Sequence, residues 1–159
     1  MATLKEKAQA ALAAISAGGG RHVIEVDQAG QRLHCDLADV DSLACALNQL
    51  TLSTDALANI SGDELKNMAE TLAGRLSYLL EAISPVEFDA EQCVVQMRSS
   101  PPQKDEDSTS YYELLARRGG HVSLIRYTKP SGQVRSQAPA HLTREVLLRL
   151  VDDFSSVAP

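Results

Sequence analysis

The chain has 159 residues, 44% of them hydrophobic, with 15 basic and 21 acidic side chains and a net charge of −6. This is enough chain for a conventional core and excludes wholesale disorder. The acidic balance argues against a nucleic-acid coat, and no apolar run approaches the roughly 18 residues that cross a bilayer.

Residues 3–17 predict a helix, because alanine, leucine, lysine and glutamate dominate and Leu4, Ala8, Ala11, Leu12 and Ile15 form one stripe. Lys5 and Lys7 before this alanine-rich stretch loosely copy a signal peptide, but Glu6 interrupts the basic part, so a cytoplasmic location is expected. Gly18-Gly19-Gly20 ends the helix, and a hairpin follows. His22–Val26 and Arg32–Leu37 alternate around a turn at Asp27–Gly30, with Leu33, Cys35 and Leu37 on one face. Asp39–Leu50 reads as a short helix with Leu43, Ala46, Leu47 and Leu50 inward, capped by Asp39 or Asp41. The most strongly signalled element is a helix from Ser61 to about Ile83. Ser61 and Glu64 have capping-box spacing, Ile60 and Leu65 form a hydrophobic staple, and Pro85 stops the helix.

Beyond Pro85 the apolar period shifts to two. Gln92–Arg98, Tyr111–Arg118, His121–Thr128 and Gln133–Gln137 predict the four strands of a meander, and Val86–Phe88 could add a short one before them. Gly119-Gly120 and Pro130–Gly132 provide turns, and residues 99–110 form a polar loop with Asp105, Glu106 and Asp107, of which residues 100–109 are expected to be mobile and dispensable for folding. A last helix runs from Thr143 to Phe154. The expected order is αββααββββα: an α+β fold, mainly antiparallel, with an N-terminal hairpin, a C-terminal four-strand meander and helices on one face. We expect a single domain over residues 1–159. The alternative is a hairpin–helix unit at 1–60, a connecting helix at 61–84 and a sheet with its terminal helix at 85–159.

No compact catalytic motif is present, and no catalytic residue, cofactor or metal site is expected. Cys35, Cys45 and Cys93 make no CxxC pair and fall in apolar patterns, which suits buried free thiols in a reducing compartment. His121 and His141 flank the last hairpin and could approach each other. Charge is uneven: between 111 and 149 there are seven basic side chains and two acidic ones, a local +5. Arg126 and Arg135, on neighbouring predicted strands, could clamp a carboxylate or phosphate, with Tyr127 as a stacking wall and Arg117 nearby. Their replacement by glutamine is expected to leave the melting temperature nearly unchanged.

The predicted long helix offers a second lead. Leu65, Ala69, Leu72, Leu76, Leu79 and Ile83 follow heptad steps, which suits either a homodimer seam or packing within the monomer. The leading expectation is a non-enzymatic protein-interaction or adaptor-like domain, self-associating, with a protein partner and no membrane or nucleic-acid partner. The alternatives are a small-molecule anion-binding domain using the arginine-rich hairpin, and a small acidic chaperone for another protein.

Overall fold

The computed structural model describes residues 2–15, 20–100, 102–119 and 121–157. Among them the chain forms an α+β fold with three α-helices and one antiparallel sheet. Helix α1 (Leu4–Ala13) starts at a Thr3–Glu6 capping box and buries Leu4, Ala8 and Leu12. The expected break at Gly18 and Gly19 lies outside the described residues, as does Gly120.

Strands β1 (His22–Gln28) and β2 (Gln31–Val40) form the expected hairpin, which the structure places in the main sheet. The expected helix at 39–50 is instead the end of β2, a tight turn and strand β3 (Ala44–Thr54). Asp41 caps that turn, not a helix: its Oδ1 accepts hydrogen bonds from the amides of Leu43 and Ala44 at 2.8 and 2.7 Å. The misleading period has a physical source. Asn48 bulges out of β3, since Gln49 pairs with Asp36 while Leu47 pairs with Leu37. The bulge makes the step between inward Leu47 and Leu50 three residues, as in a helix, while Cys45–Leu47 and Leu50–Leu52 keep the strand step of two. A matching bulge at Ala38 separates inward Leu37 from Val40.

Helix α2 (Gly62–Arg75) starts at the expected Ser61 cap, where Oγ accepts from the Glu64 amide at 3.1 Å. It is shorter than expected. A 3₁₀ turn (Leu76–Leu79) follows, and Leu80 turns left-handed with φ of 65°. Next come strands β4 (Ile83–Asp89), β5 (Val94–Ser99), β6 (Gln103–Lys104), β7 (Ser108–Arg117), β8 (His121–Pro130), β9 (Ser136–Gln137) and β10 (Ala140–Thr143), then helix α3 (Arg144–Val157). Residues 103–110 are thus partly paired, with β6 against β7.

The sheet order is β1-β2-β3-β8-β7-β5-β4. β8 pairs with the second half of β3, while β10 pairs with its first half and β9 with the far end of β8. The segment after β8 therefore fills the wedge where β3 and β8 part. One sheet face, including Leu33, Leu50, Leu124, Leu114 and Met97, joins the buried side chains of all three helices in a core running from Leu4 to Phe154. The opposite, open face carries His34, Thr51, Ser123, Glu113 and Arg98. No helix of the described residues is long and apolar enough to cross a membrane.

Candidate functional site

Strand alternation sorts the arginine-rich hairpin onto two faces. Along β7, Tyr112 and Leu114 point to the core, and Tyr111 and Glu113 to the open face. Arg126 pairs directly across from Tyr112 and shares its side of the sheet. Its guanidinium lies 4.6 Å from the Tyr112 ring centroid, and it donates from Nη1 to Glu81 Oε2 at 2.9 Å and from Nη2 to Gln103 Oε1 at 3.0 Å. Glu81 also accepts from Ser99 Oγ, which in turn accepts from the Tyr112 amide. The Arg126 and Glu81 side chains are only 12% and 17% exposed. Arg126 thus fastens the segment after α2 to the sheet. Burial, above all, pushes the Tyr112 phenol above its ordinary pKa.

Arg135 is on the open face. The β8–β9 register sets Tyr127 against Gln137, so residue 138, not 135, faces Arg126, and the Ala138 amide donates to the Arg126 carbonyl at 2.9 Å. The expected Arg126–Arg135 clamp is therefore not formed: the two guanidinium groups lie on opposite sides of the sheet. Arg135 instead donates from Nη1 to Glu113 Oε2 at 2.8 Å and to Tyr111 Oη at 3.1 Å, and sits 3.8 Å from the Tyr127 ring centroid. The hydrogen bond to Glu113, then that to Tyr111, raises the Arg135 pKa further, so the group is permanently cationic.

The residue that does join Arg135 is Arg98, from β5. It stacks 4.5 Å from the Tyr111 centroid, with Nη2 4.0 Å from Glu113 Oε2. Its Nε is buried without a hydrogen-bond partner. Gln96 Nε2 donates to the same Glu113 oxygen at 2.9 Å. One carboxylate thus positions two stacked guanidinium groups over a tilted tyrosine pair whose centroids are 6.0 Å apart. Beside them opens a groove of about 920 Å³ lined by Arg98, Lys129, Arg135, Tyr111, Val86 and Val134, among others. No described lining residue is acidic. Alternation with Gln96 marks Arg98 as lying on the polar face of β5, but nothing local links it to Arg135, far along the chain.

The remaining expected residues lie elsewhere. Arg117 is exposed at the end of β7, opposite Val94. Burial and the Arg117 charge together lower the His121 pKa. His121 and His141 pair with Ser53 and Ala46 of β3, roughly 20 Å apart along the strand. Leu65, Leu72, Leu76 and Leu79 are each 7% exposed or less, Ile83 belongs to β4, and all five pack in or against the core of the single chain. The four leucines are buried within the chain, and Ile83 is partly buried. The three thiols are buried and free, and no cluster suited to a metal ion occurs among the described residues. Comparison with known protein families, curated proteins and solved structures finds no match for this chain.

Proposed function

We propose that the chain is a non-enzymatic protein-interaction domain, and that the groove beside Arg98 and Arg135 takes a carboxylate-bearing, partly apolar segment of a partner protein. The observation carrying this reading is the paired, ring-stacked guanidinium groups beside a groove with three cations and no described acidic lining residue. Stacking on Tyr111 and Tyr127 holds both planar forks in place, so little side-chain entropy is lost when a carboxylate arrives. Val86 and Val134, 54% and 87% exposed, add apolar area at the rim. A small-molecule site encloses most of its ligand, whereas this groove is flanked by exposed valines, which suits an extended chain segment better. The buried free thiols fit a reducing, cytoplasmic setting.

The test is fluorescence anisotropy with labelled peptides of alternating valine and glutamate, against matched peptides carrying glutamine. Binding should require the carboxylates, weaken with salt, and fall about tenfold or more in Arg98→Gln and in Arg135→Gln, since each removes a charge-assisted contact. Equal binding of both peptide sets, or indifference to both substitutions, overturns the reading. Saturable binding of citrate or phosphate that excludes the peptides would transfer the site to a small anion.

A further inference from the structure

The two edges of the sheet differ. At one edge β4 carries Pro85, which has no backbone donor, and a bulge at Val86, and both discourage a further strand. At the other, β1 runs from His22 to Gln28 without proline, glycine or register shift. The adjoining turn shows which of its backbone groups are free. Ala29 and Gly30 both have positive φ, so β1 and β2 join through a two-residue turn closed by the Gln28–Gln31 pair. That pair and each second one after it (Val26–Leu33, Ile24–Cys35 and His22–Leu37) exchange backbone hydrogen bonds. The backbone groups of Val23, Glu25 and Asp27 consequently point away from β2, where no described strand pairs with them. Lys7 agrees with this direction, its Nζ donating to the Asp27 carbonyl at 2.7 Å. Lys7 caps one end of the edge and leaves the stretch around Val23 open, with Val23 itself 47% exposed.

That stretch reads Arg21-His22-Val23-Ile24-Glu25, which is complementary to itself when run antiparallel. We propose that β1 pairs with β1 of a second copy, antiparallel, about a two-fold axis at Val23. Val23 then faces Val23, His22 faces Ile24, and Arg21 faces Glu25 on both sides of the axis. The outward backbone groups fall opposite one another in this register and complete the ladder. Charge disfavours two other registers: shifting the axis to Glu25 sets Glu25 against Glu25, and shifting it to Arg21 sets Arg21 against Arg21, whereas the Val23 axis makes two Arg21–Glu25 pairs. Both side chains are exposed, at 69% and 73%, and Glu25, whose Oε1 lies 3.0 Å from His34 Nδ1, keeps Oε2 for a second partner. Arg21 already donates through Nε and Nη2 to Asp36, which orients the guanidinium at the edge and leaves Nη1 for the opposing carboxylate. The contact lies at the opposite end of the sheet from the Arg98–Arg135 groove, and neither proposal depends on the other.

Light scattering from low to several hundred micromolar should show the parent approaching twice the 17.1 kDa chain mass. Arg21→Glu and Glu25→Arg, each opposing like charges twice, should scatter as monomers while melting within a few degrees of the parent. Mixed together they should form a heterodimer, because both carboxylates of the first variant then face both guanidinium groups of the second. In the parent alone, amide exchange at Val23 and Glu25 should slow as concentration rises. A parent that stays monomeric throughout, single variants that remain dimeric, or a mixture that stays monomeric overturns the proposal.

Discussion

Arg126 and Arg135 carry the same group nine residues apart, and burial gives them different work. Arg126 is enclosed, stacked on Tyr112 and bonded to Glu81 and Gln103. Removing its charge leaves the Glu81 carboxylate largely buried with only the Ser99 hydroxyl, so Arg126→Gln should cost about 3 kcal/mol. Arg135 is 37% exposed, and Glu113 keeps Gln96 and Arg98 when it is lost. Arg135→Gln should cost about 1 kcal/mol or less. Thermal melts read the contrast as a fall of about 10 °C against about 3 °C. Equal melting temperatures, as reading the chain alone suggests, would show that the Arg126–Glu81 contact holds nothing together.

At the scale of elements, two departures from simple periodicity decide what the leucines do. In β3 the bulge at Asn48 resets the phase, so Leu47 and Leu50 both face inward although they are three residues apart. In α2 the heptad-like seam serves an intramolecular core, packing against α3, β4, β5 and β7. Leu72 and Leu76 are at most 1% exposed, so glutamate at either position buries an unpaired carboxylate. Leu72→Glu and Leu76→Glu should unfold the chain rather than dissociate an oligomer, and Leu72→Ala should cost about 2–5 kcal/mol in urea titrations. A folded, monomeric Leu72→Glu variant would place this helix face on a surface.

Across the whole molecule, the shared core links all three helices to one sheet face and takes the cysteines in with it. Burial pushes the Cys35 thiol up to about 12, with Cys45 adding to it, and burial pushes Cys45 up to about 11. In the unfolded chain a thiol titrates near 8.5. Above that pH the unfolded state loses protons that the folded state retains, so stability falls as pH rises. It is fully present below about 8.5 and is lost through the window up to about 11–12. Urea midpoints measured from pH 8 to pH 11 should fall progressively, and Cys35→Ala should flatten the slope while lowering the midpoint at every pH. A midpoint independent of pH in this range would mean the thiols are hydrated in the folded state.

What the amino-acid order settled by itself was local. The Ser61–Glu64 cap, the β1–β2 hairpin, the strand period beyond Pro85, the polar face of Gln96 and Arg98, and the final amphipathic helix all rest on neighbours within a few residues, where propensity and alternation act directly. The order also placed a positive cluster in the last third of the chain. Tertiary structure decided the rest, because those outcomes depend on partners distant in sequence. Only pairing with β2, β8 and β10 makes a strand of residues 44–54, whose bulged pattern copies a helix. Only the β8–β9 register puts Arg126 and Arg135 on opposite faces, and only β5 lying beside β7 brings Arg98 to Glu113 and so to Arg135. A one-residue shift in a strand inverts every side chain beyond it, so the site follows from the register of pairing, which composition and periodicity leave open.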